Sequence, residues 1–261
     1  MRALEENLWS MWAQFGRAAG CTLHEDNAAL WFETPIPVPP YNMVVRFQGG
    51  PDCEIALDRI FGQFRARSVP FLWLMHPSAG PADLGARLRA RGFEEIEPLT
   101  GMVADLAQLP AMPSFPAGVE VHEVTPGHDL AAFTEFVAAR WHVPETARAH
   151  LMSIVEIARI GVRGSPNRAW VVVKDGAALA KAFTHEAVGA VGLYGMATKP
   201  EARGMGLARL VCLKALHEAR ERGHDLAILH STPMAVSLYQ GVGFRPLAPF
   251  AIWAAPHSFY A

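Results

Sequence analysis

Arg203-Gly204-Met205-Gly206-Leu207-Ala208 stands between a run that reads as a strand, Ala190 to Thr198, and a run that reads as a helix, Gly206 to Arg222. In that context successive backbone N–H groups and the start of the helix cradle a phosphate. Gly204 and Gly206 carry no β-carbon, so the backbone approaches a ligand closely and takes positive φ. Arg203 adds a permanent cation beside it. Taken alone, the hexapeptide reads equally well as a tight turn before a helix.

A second motif lies further along: Ser231-Thr232-Pro233-Met234-Ala235-Val236-Ser237-Leu238-Tyr239-Gln240-Gly241-Val242-Gly243-Phe244, a strand end followed by a short helix that a glycine and an aromatic terminate. The two motifs together resemble the GNAT superfamily of acyl-CoA N-acyltransferases. The glycine loop Arg203 through Ala208 is similar to the family's pyrophosphate loop, and Ala235, Tyr239, Gly243 and Phe244 are similar to its later helix motif. The resemblance covers residues 119 to 254 and is weaker in the first hundred.

The resemblance implies acetyl-CoA, or another acyl-CoA, as co-substrate, with its pyrophosphate on Arg203, Gly204, Met205, Gly206, Leu207 and Ala208. It implies pantetheine pairing with the strand end Met196, Ala197 and Thr198, an oxyanion held by a strand N–H close to Met196, and Tyr239 as proton donor to the departing thiolate. The expected acceptor is a small-molecule or peptide amine attacking the thioester directly. Two departures leave the general base open: Thr232 stands where the family often has asparagine, and Val188 to Val191 hold no mid-strand glutamate. Glu186 and His185 either serve through a water or are solvated hairpin residues. Trp141 to Glu145 reads either as part of the acceptor pocket or as a helix-helix turn. A CoA-binding module without catalysis is the rival reading.

Composition narrows the alternatives. With 51% hydrophobic and 18% charged residues, the 261-residue chain has material for two sizeable cores. Basic and acidic residues nearly balance, 23 against 25, which gives no support to a nucleic-acid or anionic-membrane surface. It also disfavours a tandem-lobe transferase using aminoacyl-tRNA. Cys21, Cys53 and Cys212 have neither paired nor zinc-ligand spacing, and the histidines, His257 included, show no metal spacing, so no metal is expected. A reducing cytoplasm fits, with neither signal peptide nor membrane span. Leu4, Leu8, Met11, Trp12 and Phe15 predict an amphipathic helix.

The proline-rich stretch Leu109 to Gly118 reads as a linker, dividing the chain into residues 1–110 and 118–261. An internal repeat supports two lobes. At a constant offset of 155, Gly204 falls on Gly49, Leu210 on Ile55, Leu216 on Phe61, and Leu226 to Leu229 on Phe71 to Leu74. The expected fold is therefore α/β, two GNAT-like lobes, each a mixed and mostly antiparallel sheet flanked by helices. In the first copy Gln48, Pro51 and Leu88 replace Arg203, Gly206 and Tyr239, so the N-terminal lobe is expected to be degenerate and the C-terminal one to work.

Overall fold

In the computed structural model, which describes residues 1–255, the elements run α1 (Arg2–Gly16), β1 (Thr22–Glu25), β2 (Ala29–Glu33), β3 (Met43–Phe47), α2 (Glu54–Arg67), β4 (Leu72–Met75), α3 (Leu84–Ala90) and β5 (Glu94–Asp105). There follow β6 (Val119–Glu123), α4 (His128–Arg140), α5 (Arg148–Ala158), β7 (Asn167–Lys174), β8 (Ala177–Ala187), β9 (Ala190–Thr198), α6 (Leu207–Glu221), β10 (Leu226–Ser231), α7 (Val236–Gln240) and β11 (Arg245–Ala254). The strands that local pattern predicts at 43–47, 71–75, 119–124, 169–174, 179–185, 190–198, 225–230 and 249–254, and the helices it predicts at 52–67, 81–91, 129–140, 144–159, 206–222 and 234–242, are present with ends shifted by a few residues, as capping and fraying dictate. Three strands were not expected: β1, β2 and the long β5.

The chain forms two compact units, one of residues 1–8, 100–140 and 158–248, the other of residues 9–99, 141–157 and 249–261. These are not the contiguous segments 1–110 and 118–261. The physical reason is strand partnership. The last residues of β5, at the end of the first copy, pair antiparallel with β10, and the last residues of β11 pair antiparallel with β4.

In the first unit the sheet order is β5–β10–β9–β8–β7–β6, antiparallel except for β9 beside β10. One face is covered by α6, whose Leu207, Leu210, Val211, Cys212, Leu213 and Leu216 are buried with Trp170, Val191, Leu193 and Leu229. Each fully buried side chain of this size contributes about 1.5–3 kcal/mol. In the second unit the order is β1–β2–β3–β4–β11, antiparallel except for β3 beside β4. Leu57, Ile60, Phe61 and Phe64 of α2 pack there on Trp73, Phe71 and Phe93. Each unit thus holds a single parallel pair among its described strands, bridged by one helix: β9–α6–β10 and β3–α2–β4. A parallel pair needs such a crossover, and the two crossovers are the segments that the sequence repeat superposes.

The start of α1 is fixed to the first unit by one side chain. Asn7, fully buried, donates through Nδ2 to the carbonyls of His185, Ala187 and Ala190 at 3.2, 2.9 and 3.0 Å, and its Oδ1 accepts from the Tyr194 hydroxyl at 2.7 Å. Gly192 is required beside it, because a β-carbon there would collide with Asn7 Oδ1 and the Tyr194 ring. Buried groups deprived of a partner cost about 1–3 kcal/mol each. Asn7→Ala is therefore expected to lower the thermal midpoint by roughly 4–12 °C. A melting curve superimposable on the parent's would show that the β8–β9 turn holds without this contact.

Candidate active site

Gly206 takes φ 76° and ψ 3° and caps α6 without any side-chain hydrogen bond to the first turn. The opening N–H groups of this 15-residue helix are therefore left to whatever approaches them, and the positive end of the helix dipole points the same way. Gly204 has φ 78°, and a β-carbon added at either glycine would meet nothing within 4 Å. The loop borders a cleft of about 300 Å³ lined by Thr198, Ala202, Arg203, Gly204, Gly206, Leu207, Ala208, Arg209 and Leu238. Arg203 is exposed, and no acidic group pairs with it among the described residues. Of the residues singled out in the sequence loop, Met205 alone does not line this cleft; it projects outward, 41% exposed.

β9 supplies the second wall. It pairs with β10 only from Val191 to Leu193, opposite Ala227 to Leu229. On its other side the register with β8 breaks between Phe183↔Tyr194 and Lys181↔Ala197, one extra residue on β9 forming a bulge with Gly195 at φ 55°. Past that point Met196, Ala197 and Thr198 are half-buried, and Thr198 reaches the cleft. The sheet is open along its β10 side at the strand end that the sequence singles out for pantetheine.

Tyr239, in α7, is buried within the cluster that contains α6, and its ring meets Phe244 edge-on at 6.0 Å. It does not line the cleft; its neighbour Leu238 does. Burial raises its pKa well above the usual phenol value, with Cys212 nearby adding to the effect. Cys212 is itself fully buried in α6, which pushes its thiol up to about 12.

The two side chains weighed as bases are at the other end of β9. From Ala190, opposite Ala187, to Thr198 the strand rises about 25 Å. His185 is buried, and its Nδ1 faces Asn167 Oδ1 at 2.7 Å, while Asn167 Nδ2 donates to Ala158 O. Burial would raise the Glu186 carboxyl, but hydrogen bonds from Arg222 and His224, at 2.7 and 2.9 Å, hold it below the usual carboxylate range. Trp141 to Glu145 packs in the second unit. No group of His, Cys, Asp and Glu side chains suited to a metal occurs among the described residues; His257 lies outside them.

A residue that sequence reading passed over is nearer the cleft. Lys181 is 3% exposed, midway along the otherwise apolar Leu179-Ala180-Lys181-Ala182-Phe183, and donates to Gly195 O at 2.6 Å. A lysine in an apolar alternation is the signal that would have found it.

The first copy differs at each of these points. A β-carbon at Gly49 would lie 2.6 Å from Cys53 Cβ and 2.7 Å from Phe47 Cε1, so the loop there is filled by its own side chains. Gln48 binds Ser78, and Leu88 is fully buried.

A family model described as "Acetyltransferase (GNAT) domain" matches residues 165–246, a segment containing the glycine loop, β9 and Tyr239. This segment is a GNAT acetyltransferase domain. Two curated relatives are mycothiol acetyltransferases. That of Thermomonospora curvata is 25% identical over 197 residues, covering 74% of this chain and 65% of the relative. That of Cellulomonas flavigena is 26% identical over 196 residues, covering 66% and 53%. The chain thus spans less than two thirds of the length of either. In fold it is similar to a GCN5-related N-acetyltransferase from Kribbella flavida, with TM-score 0.69, 20% identity, and 97% and 95% of the two chains covered. It is likewise similar to a tandem GNAT protein from the clavulanic acid biosynthesis pathway, with TM-score 0.63, 15% identity and the same coverage. The GNAT fold, a mixed and largely antiparallel sheet flanked by helices, is that of this chain. No helix among the described residues is long and apolar enough to cross a membrane.

Within the GNAT domain, acid weakens the end of β9 remote from the cleft. Burial lowers the His185 pKa from its ordinary 6.5 to about 4, so between those values only the unfolded chain takes up the proton. Stability is full above pH 6.5 and is lost as pH falls toward 4, by up to about 3 kcal/mol from this group. His185→Gln, which can still donate to Asn167, is expected to flatten the fall of the thermal midpoint across that window. An unchanged slope would assign the acid sensitivity elsewhere.

Proposed function

We propose that this protein transfers an acyl group, most simply acetyl, from acyl-CoA to an amine by direct attack in a ternary complex. The observation that carries the reading is the uncapped start of α6. Its free N–H groups, two glycines with open space at their Cβ positions and an unpaired Arg203 converge on a cleft that Thr198 at the end of β9 also lines. That is the chemistry a pyrophosphate requires, followed by an unpaired strand edge of the kind that accepts an extended, amide-bearing chain.

Gly204, Gly206, Leu207 and Ala208 hold the pyrophosphate through backbone N–H groups, with Met205 shaping the turn and Arg203 supplying charge. Met196, Ala197 and Thr198 bind pantetheine. The amine lone pair adds to the thioester carbon, the C–S bond then breaks as the carbonyl re-forms, the departing sulfur takes the Tyr239 proton, and the proton shed by the amine passes to solvent, from which the phenolate is reprotonated. Burial keeps the Tyr239 phenol protonated at neutral pH, so its proton is in place when the sulfur departs. Cys212, held protonated in the core, does not compete as a covalent nucleophile. Residues 1–110 are a degenerate copy kept for packing, and 118–261 carry the chemistry. The relatives named for mycothiol support a small-molecule acceptor, and the net charge of -2 does not favour nucleic acid.

Two measurements test the reading. A β-branched residue does not tolerate φ 76°, so Gly206→Val should weaken CoA binding at least about tenfold in calorimetry while leaving the circular dichroism spectrum intact. Unchanged affinity would remove the pyrophosphate from this loop. Tyr239→Phe keeps the packing and removes only the hydroxyl. With acetyl-CoA and an accepted amine, thiol release should fall roughly 10²- to 10⁴-fold at unchanged CoA affinity. Parent-level turnover would make water the proton source. CoA binding with no thiol release from any amine in a broad panel would favour a non-catalytic CoA-binding module.

A further inference from the structure

We infer that Lys181 is a positioning residue for the acyl-transfer step, its ammonium holding and polarising the Gly195–Met196 peptide so that the Met196 N–H receives the developing oxyanion. The inference rests on the acyl-CoA reading above.

Lys181 lies in the interior of the first unit, where a lysine ordinarily sends its ammonium to solvent or to a carboxylate. Here neither is available: the residue is 3% exposed, and among the described residues no acidic side chain pairs with it. Its partners are the Gly195 carbonyl at 2.6 Å and the faces of Phe133 and Phe136 of α4, 5.3 and 6.0 Å from Nζ. The rings offer the charge weak compensation and, among the described residues, leave the carbonyl as its one hydrogen-bond acceptor. Burial, reinforced by the charge of Arg140, pushes the lysine down to about 7. Below that value the amine carries its charge, and a buried ammonium without a carboxylate costs stability.

The carbonyl is the one at the bulge. Gly195 is the positive-φ residue at which β9 leaves its register with β8, and a β-carbon there would come within 3.3 Å of Nζ. In a trans peptide the C=O and N–H point in opposite directions, so with Gly195 O bound to Lys181 the Met196 N–H is directed away from it. A cation on the oxygen draws electron density from the amide and strengthens the N–H as a donor, an effect enlarged by the low local dielectric. When the amine attacks, negative charge collects on the thioester oxygen, and a preoriented, polarised donor is the group that stabilises it.

The experiment uses the full chain, CoA for calorimetry, and acetyl-CoA with whichever amine releases thiol fastest from a panel of amino acids, polyamines and aminoglycosides. Lys181→Met keeps an unbranched apolar chain and removes both donor and charge. Expected are a kcat lower by about tenfold or more, KM for acetyl-CoA and CoA affinity within about twofold of the parent, and a thermal midpoint equal to or above the parent's. Rate and stability then move apart, which a merely structural lysine would not produce. Parent-level kcat overturns the inference, and so does a fall in kcat accompanied by lost CoA affinity and a lower midpoint. Lys181→Gln is read by the same criteria should the methionine variant not fold. A parent protein that neither binds CoA nor releases thiol would refute the acyl-transfer reading itself, and that is visible before any substitution is made.

Discussion

β9 is paired on both sides for only three residues. From Val191 to Leu193 it has β8 on one side and β10 on the other, after which the extra residue at Gly195 and the departure of β10 leave its far end with a neighbour on one side alone. Everything distinctive about the first unit follows from this interruption. The crossover from β9 through α6 to β10 requires the parallel pair at the start. The split requires the pair to end early, and the loop from residue 199 to 206 delivers the start of α6 to the mouth of the split. Continued pairing would have satisfied the backbone of residues 196 to 198 internally, leaving nothing for an extended ligand to join.

Those features that depend on special backbone angles were legible in the sequence. The glycine loop could be read because positive φ at residues 204 and 206 is inexpensive only for glycine, and the Tyr239 to Phe244 motif because a glycine at φ 110° ends the short helix after it. Features that depend on partners distant in sequence were not. β5 begins Glu94-Glu95-Ile96-Glu97-Pro98, a polar run with a proline that local pattern reads as loop, and the partner of its later half, Thr100 to Asp105, is β10, more than a hundred residues on. Composition places the boundary at the proline linker. Local composition marks where the chain is stiff, but the division into compact units is set by which strand pairs with which, and β5 and β11 both pair outside their own copy. Asn7 belongs to this class: nothing in an amphipathic helix announces that one polar residue binds three carbonyls of a turn far along the chain.

Local stability has been given up in one neighbourhood. α6 starts without a capping side chain, which by comparison with a serine or aspartate cap forgoes about 1 kcal/mol. A lysine is buried without a carboxylate among the described residues, and β9 gives up ladder hydrogen bonds past Leu193. At the other end of the same strand the pattern reverses: Glu186 is held by Arg222 and His224, His185 by Asn167, and the β8–β9 turn by Asn7. The well-satisfied end anchors the strand, and the poorly satisfied end is where a ligand would complete what the protein leaves undone.

The two crossovers make the same point by comparison. Both place a helix after a glycine-bearing loop and a parallel strand after the helix, so neither topology nor the presence of glycine distinguishes them. What differs is the volume beside the glycine. Phe47 and Cys53 occupy the space that a β-carbon at Gly49 would need, whereas nothing lies within 4 Å of that position at Gly204 or Gly206. Gly49 is therefore a packing residue, small because its own loop closes over it, and the glycines at 204 and 206 are small toward open space. Selection for packing and selection for a ligand leave the same letter in the sequence. The neighbouring side chains distinguish the two cases: the space beside Gly49 is filled by its own loop, and the space beside Gly204 and Gly206 is open.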